Sequence, residues 1–320
     1  MLEQNGVDVS LVVVDTAGDR ALDVSLDRVG GQGIFVKEVQ AAVVSGRADA
    51  AVHSAKDLPA ALGLSVPGLV LAAFPERKDP RDVLVGGRIA TLPTGATIAT
   101  GSARRRVQLA NFRPDLTFTG LRGNLATRLA VAESGGVGTV VVAKAALDRM
   151  EWEAPEGLDV EVLPPRLMLP QVGQGALAVE CRSDDEQTVS ALAAVDDPEV
   201  RPLVIAERAF LAELGGGCTL PVGAMAAWVG APGASAMALW GMLASQDGVI
   251  VLRHRADTGS AHPAHAAGPA GPADTAPTGL GRSVARYLLH DLGGWDLADW
   301  AGPEAADPSG GHARVPPAGV

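Results

Sequence analysis

Aromatic residues make up only 3% of this 320-residue sequence, so stacking platforms for nucleobases are scarce. Positive charge is also short. Lys and Arg number 26 against 37 Asp and Glu, a net of -11, and a nucleic-acid binder needs cations in excess for its phosphate contacts. The only two cysteines, Cys181 and Cys218, are too few and too far apart for a disulfide framework or a metal-type pair. No apolar run approaches the roughly 18 to 20 residues that span a bilayer. The opening Met1-Leu2-Glu3-Gln4-Asn5 lacks the basic-then-apolar pattern of a secretory signal. A reducing cytoplasm, with neither membrane nor nucleic acid as partner, is the expected setting. What is present is ordinary for a globular protein: 47% hydrophobic and 20% charged residues, enough chain for two or three domains.

The most informative stretch runs from Gly30 to Pro59. Val36, Val39 and Val43 recur at helical spacing, and Gly46 is placed to end that helix. Ala48 to Val52 is a short apolar run that predicts a strand buried on both faces of a parallel sheet. At its carboxyl end the chain turns polar at once, with His53, Ser54, Lys56 and Asp57, and Pro59 stops further pairing. Ligands of open α/β sheets sit at the carboxyl ends of strands, which makes Asp57 the first candidate for chemistry. A helix-strand unit with a merely polar turn is the plain alternative.

Further strands are predicted at Leu11–Val14, Leu69–Ala73, Val83–Val85, Thr97–Ala99 and Thr139–Ala143, with an edge strand between Gly157 and Pro165. A charged run such as Glu76 to Asp82 is ordinarily just a solvated loop. At Thr100-Gly101-Ser102-Ala103 a strand gives way to a helix whose first N–H groups form an anion site. From Ala99 to Leu129 stand six arginines (Arg104, Arg105, Arg106, Arg113, Arg122, Arg128) and one acid, Asp115, so six less one leaves +5 in a chain of net -11. A solvated basic face is the usual explanation of such a cluster. Cations at a helix start oppose its dipole, however, which favours an anionic ligand here. Arginine's planar fork suits carboxylates in particular. The Gly-rich Leu169–Gly175 lacks the spacing and the Lys of a phosphate-binding loop, so a nucleotide is not expected.

Cys181, ending an apolar run, reads as a buried structural cysteine. Cys218 follows Gly215-Gly216-Gly217, which leaves nothing to cover its thiol, so a catalytic, redox or attachment role is open. Upstream, Leu203, Ala206, Phe210 and Leu214 mark one face of a helix that Gly215 ends. Downstream, Val222–Trp228, Ala236–Leu243 and Val249–His254 are spaced as an antiparallel meander. The Ala/Gly/Pro/His-rich 257–279 reads as a flexible insertion, in which His262 and His265 make too weak a set for a metal site. A last helix is expected at Gly281–Leu289, and 302–320 reads as a disordered tail.

Val52-His53-Ser54-Ala55-Lys56-Asp57-Leu58-Pro59 resembles the signature loop of the hydroxymethylbilane synthase, or porphobilinogen deaminase, family. Gly33-Ile34-Phe35-Val36-Lys37-Glu38 resembles the start of the helix before it, and Gly215–Gly223 the family's cofactor-attachment loop. The resemblance covers about Leu11 to His254. It implies an α/β fold of two periplasmic-binding-protein-like lobes with a hinged cleft, plus a smaller α+β C-terminal domain with a three-stranded antiparallel sheet. The expected units are 1–73 with 173–190, then 77–169, then 195–292, whose chain is entered near Glu186. The implied reaction condenses four porphobilinogens into a linear tetrapyrrole in haem biosynthesis, by a cytoplasmic monomer without a metal. Asp57 and Lys56 are the implied catalytic residues. A dipyrromethane cofactor on Cys218 is implied to be held by Arg104, Arg105, Ser102, Lys56 and Asp57. Substrate is implied to meet Arg122, Arg128, Arg149, Phe35, Thr100 and Gln174. Arg106 and Arg113 have no family role and are expected to be solvated.

Three departures stand out. Gln32 replaces a frequent Lys, though Arg28 lies close by, and Gly101 replaces a frequent Ser. The strand and helix that the family carries ahead of Leu11, with an Arg and a Ser, are missing; a start assigned too far downstream is the expected reason. A non-catalytic two-lobed binder of anionic solutes, or a truncated inactive relative, are the competing readings.

Overall fold

The computed structural model describes residues 1–14, 36–59, 66–134, 138–215, 221–230, 236–259 and 276–297. The chain is α/β, built on three sheets with separate cores. Phe35, Gln32, Arg28, Cys218, His262, His265 and the 302–320 tail lie outside the described residues.

The first sheet holds β1 (Ala50–Ser54), β8 (Leu177–Arg182) and β2 (Leu69–Ala73) in the order β1-β8-β2. Helix α1 (Lys37–Val44) leads into it and buries Val43, and Gly46 closes the helix by donating its N–H to the Val43 carbonyl at 3.1 Å. Two expectations fail in this region. The 48–52 run forms a strand antiparallel to β8, with Val52 63% exposed, rather than a parallel strand covered on both faces. A short apolar run does not record the direction of its neighbour, which here is the chain returning after some 120 residues. Leu11–Val14 is extended but unpaired among the described residues, with Leu11 89% exposed. β-Propensity alone makes no strand without a partner.

The second sheet has the order β5-β4-β6-β3-β7: β3 (Asp82–Val85), β4 (Thr97–Ala99), β5 (Thr117–Thr119), β6 (Thr139–Ala143) and β7 (Val160–Val162). β4 runs parallel to both neighbours, whereas β3 is antiparallel to β6 and β7. Every residue of β3 and β6 is buried, as continuous apolar strands covered on both faces should be. Alternation sorts their side chains: Val83, Val85, Val140 and Val142 join one core, Leu84 and Val141 the other. Helices α2 (Ala103–Phe112) and α3 (Leu125–Glu133) follow β4 and β5, and α4 (Lys144–Arg149) follows β6.

Helix α5 (Glu186–Ala193) packs back on the first sheet, where Leu192 joins Ala73, Val179 and Cys181. Helix α6 (Val200–Glu213) spans two cores. Val200 and Val204 lie with Ala55, Leu58 and Phe74, while Ala206 and Phe210 enter the C-terminal core. That core also takes the antiparallel meander of β9 (Val222–Val229), β10 (Ala236–Ala244) and β11 (Val251–Asp257), with α7 (Ala276–Arg286). Complete burial of a side chain such as Phe210 is worth about 1.5–3 kcal/mol. Of the expected insertion at 257–279, residues 260–275 lie outside the described residues, while β11 runs to Asp257 and α7 begins at Ala276. Residues 276–279, Ala-Pro-Thr-Gly, look like linker by composition, but Thr278 is buried by the packing of the first turn.

Two segments connect the first and second sheets, one between β2 and β3 and one between β7 and β8. They touch: the Lys78 N–H donates to the Gly175 carbonyl at 3.1 Å, and a Cβ on Gly175 would meet the Lys78 oxygen at 2.3 Å. The charged run 76–82 is solvated only in part: Glu76 and Lys78 are exposed, but other members are held inside. Arg77 is half-buried, its side chain 8% exposed, and donates to both oxygens of Glu207, at 2.8 and 3.1 Å, while Asp82 is wholly enclosed.

Candidate active site

Lys56 and Asp57 sit on a single 3-10 turn, Ala55–Asp57, at the carboxyl end of β1. The turn is seated by Ala55 and Leu58, both buried, and by the Ala55 N–H, which donates to the Ala176 carbonyl at 3.0 Å. Both polar side chains remain half-buried. Burial pushes the Asp57 carboxyl above the ordinary aspartate range, and the charges of Lys56 and His53 only partly oppose it. Lys56 therefore restrains the rise without cancelling it. The Lys56 ammonium is itself lowered, first by burial and also by Arg105 and Arg104, against the attraction of Asp57 and Asp82.

Asp82, Arg104 and Arg105 belong to the second sheet and the start of α2, and residues 171–174 link them to the turn: Gly173 lies against the backbone of Ala55 and Lys56, and Gln174 donates to Asp82. Ser102 caps this helix, its hydroxyl accepting from the Arg105 N–H, and Thr100 braces the turn by accepting from the Ser102 N–H at 3.2 Å. Arg104 and Arg105, 4% and 7% exposed, converge on Asp82. Arg105 donates to Oδ1 from Nε at 3.0 Å and from Nη2 at 2.7 Å, and from Nη1 to the Val141 carbonyl. Arg104 Nη1 donates to Asp82 Oδ2 at 2.7 Å and to the Leu169 carbonyl at 2.6 Å. Gln174 adds a third donor to Asp82, at 3.0 Å. Burial alone would raise the Asp82 carboxyl, but the two guanidiniums overcome this and hold it well below the usual carboxylate range.

Two polar atoms here are buried without a hydrogen-bond partner: Nε of Arg104 and Oε1 of Gln174. Such orphans are uncommon in native interiors and mark places that a ligand can complete. Arg128, on α3, is half-buried, with Nε donating to the Gly123 carbonyl at 3.0 Å; burial and the charge of Arg105 lower its guanidinium. Arg149, ending α4, donates to the Gly175 carbonyl at 2.8 Å, beside Gln174. Arg122 is exposed in the turn before α3. Arg106 is exposed as expected. Arg113 is not simply solvated: it pairs with Asp115 at 2.7 Å and donates to the Ile89 and Leu92 carbonyls, tying down the loop before β4. The Gly101 departure has a steric reason, since a Cβ there would lie 3.0 Å from the Leu121 carbonyl oxygen.

Asp82, Arg77 and Glu207 were not singled out by sequence reasoning, though they organise this region. The missed signal is an acid placed directly before the apolar run Val83–Val85, where a solvated charge has no reason to stand.

Residues 1–190 match the family model described as porphobilinogen deaminase, dipyromethane cofactor binding domain, and residues 202–270 match porphobilinogen deaminase, C-terminal domain. The chain belongs to the porphobilinogen deaminase family. It is 42% identical over 295 residues to the porphobilinogen deaminase of Roseiflexus castenholzii, covering 91% of this chain and 89% of that protein. The porphobilinogen deaminase of Syntrophus aciditrophicus is 48% identical over 221 residues, covering 68% of this chain and 70% of its own length. That of Bacillus subtilis is 42% identical over 241 residues, covering 74% of each. The turn carrying Lys56 and Asp57 and the arginine helix both fall within the matched cofactor-binding domain.

Proposed function

We propose that the chain is a hydroxymethylbilane synthase whose reaction centre is the Lys56–Asp57 turn facing the Asp82–Arg104–Arg105 cluster. The observation that carries this is that one short segment touches both: Gln171 donates to the Lys56 carbonyl at 3.2 Å and Gln174 to Asp82 at 3.0 Å, so the turn and the arginine cluster share one wall. Porphobilinogen bears two carboxylates and an aminomethyl group, and the site offers a partner for each.

A dipyrromethane fits the donor set. Lys56, Arg104, Arg105 and Arg128 against Asp57 and Asp82 make four cations and two acids, leaving two positive charges for a polycarboxylate. The orphaned Arg104 Nε is a donor that such a carboxylate would satisfy. Lys56, Asp57, Ser102, Arg104 and Arg105 would hold the group, and Cys218 would carry it through a thioether. When bound, it supplies a tethered acceptor ring, which replaces an encounter in solution by an intramolecular one.

The residues act on porphobilinogen as follows. Arg122, Arg128 and Arg149, with Thr100, Gln174 and Phe35, bind the substrate and its carboxylates; each charge-assisted hydrogen bond contributes about 1.5–3 kcal/mol. Asp57, whose carboxyl burial raises, passes a proton to the aminomethyl nitrogen, which leaves as ammonia when the C–N bond breaks. The resulting carboxylate faces the ring nitrogen as that atom becomes positive, and stabilises the charge where it develops. A carbon–carbon bond then forms to the free position of the acceptor ring, and the proton lost from that ring returns to Asp57. After four such condensations, water releases the linear product as its hydroxymethyl form. Lys56 lowers the pKa of Asp57 and so sets the fraction ready to accept the proton.

No helix among the described residues is long and apolar enough to cross a membrane. The net charge of -11 disfavours nucleic acid as a partner. Incubation with porphobilinogen tests the function. Ammonia release with a pyrrole adduct on Cys218 supports it, whereas reversible binding alone supports a solute-binding protein.

A further inference from the structure

We propose that Gln171 and Arg208 are positioning residues that fix the Lys56–Asp57 turn in its reactive place, a role that rests on the function assigned to Asp57 above. The turn is one 3-10 revolution, too short to hold itself, and it ends in an extended Leu58. Two backbone carbonyls flank Asp57, those of Lys56 and Pro59, and each is taken by a side chain from elsewhere in the chain. Gln171 Nε2 donates to the Lys56 oxygen at 3.2 Å, and Arg208 Nη2 donates to the Pro59 oxygen at 2.8 Å.

Gly173 closes the third side. Its φ of 72° suits glycine, and a Cβ would stand 3.0 Å from the Ala55 carbonyl carbon and the Lys56 nitrogen, so the crossing backbone lies flat against the turn. Glu207, the neighbour of Arg208 on α6, accepts from the Gly173 N–H at 2.8 Å. Consecutive residues of one helix thus hold the turn and the segment pressed against it.

Arg208 is a costly choice for mere packing. It is 4% exposed, its Nε has no partner, and an apolar side chain of similar length would fill the space without a buried charge. The buried Glu180 supplies an opposite charge, and the bond to Pro59 is the one hydrogen bond that Arg208 makes among the described residues. Neither side chain is needed to touch substrate. They act through Asp57, for which displacement of about 1 Å can lower a rate up to ~100-fold.

The test uses the full-length holoenzyme with Gln171→Ala, Arg208→Met and Arg208→Lys. Ammonia release is followed against porphobilinogen concentration, and amide hydrogen exchange is followed over residues 54–59. For Gln171→Ala and Arg208→Met, kcat is expected to fall about tenfold or more, with KM changed less than about twofold. Exchange at Lys56 and Asp57 is expected to speed up. Arg208→Lys, which keeps a donor, should recover much of the loss. Unchanged kcat and exchange would overturn the proposal, as would a loss that Arg208→Lys fails to relieve. Exchange needs no substrate: were the wild type to release no ammonia, the function of Asp57 would fail while exchange still decided whether these side chains hold the turn.

Discussion

Asp82 and Arg105 share two hydrogen bonds through a single carboxylate oxygen, at 3.0 Å from Nε and 2.7 Å from Nη2, in a place closed to water. With Arg104 on the other oxygen, a carboxylate of the chain itself is the first partner of both arginines, and the fork of Arg105 is largely spent on it. The helix start is therefore preloaded with its charges, and a ligand bound there would meet an arranged field instead of free side chains.

Removing that carboxylate tests the arrangement. Asp82→Asn leaves two buried guanidiniums facing a neutral group, and breaking such a pair from one side is expected to remove about 3–5 kcal/mol of stability in urea unfolding. The pH dependence has a definite sign. Asp82 is held below its unfolded value near ~3.9, so its contribution is fully present above that pH and is lost as the pH falls towards the folded value. The gap between wild type and Asp82→Asn should hold from pH 5 to 8, to within ~0.5 kcal/mol, and shrink below about pH 4.

Asp57 behaves in the opposite sense. Its folded pKa is raised, so the folded state binds a proton more tightly than the unfolded state, and stability falls as pH rises through that range. Asp57→Asn should therefore be at least as stable as wild type at neutral pH while losing turnover. A lower melting midpoint with retained turnover would contradict both roles. Lys56→Met removes the positive charge that holds the carboxyl down, so the limb of the kcat profile that Asp57 sets should move to higher pH. A limb moving to lower pH would exclude Lys56 as the group that tunes Asp57.

Much of this was legible in the chain, for physical reasons that differ by region. β6 reads to the residue because the four apolar residues after Thr139 announce a central strand. α6 was read because Ala206 and Phe210 recur on one face ahead of Gly215. Asp57 emerged from its position after a strand and from its resemblance to a family loop. What was not legible is long-range pairing. Nothing local to Arg77 reveals a partner 130 residues away in Glu207, and a charged run of this kind is ordinarily solvated until the fold encloses part of it. The antiparallel direction of β1 has the same origin, since β8 returns from far along the chain.

Glu207 accepts from Arg77, from the Gly173 N–H and from the Ala226 N–H, while wholly buried. It joins both crossing segments to β9. Glu207→Gln should remove about 3–5 kcal/mol, because one amide cannot accept all of these bonds and Arg77 is left unpaired. A thermal midpoint equal to wild type would contradict a joining role.

The two cysteines separate cleanly by mass. Cys181 is buried in the core of the first sheet, with its thiol raised by burial, so Cys181→Ser should retain the pyrrole adduct. Cys218→Ser should lose it. Intact-protein mass on the purified variants reads this directly, and an adduct persisting in Cys218→Ser would place the attachment elsewhere.

The most direct measurement is ammonia released by Asp57→Ala beside the wild type, at saturating porphobilinogen, with binding followed in parallel. The wild type should release one ammonia for each porphobilinogen consumed, while Asp57→Ala binds porphobilinogen and releases almost none. Ammonia released by Asp57→Ala at the wild-type rate would contradict the assignment of the reaction centre to this turn.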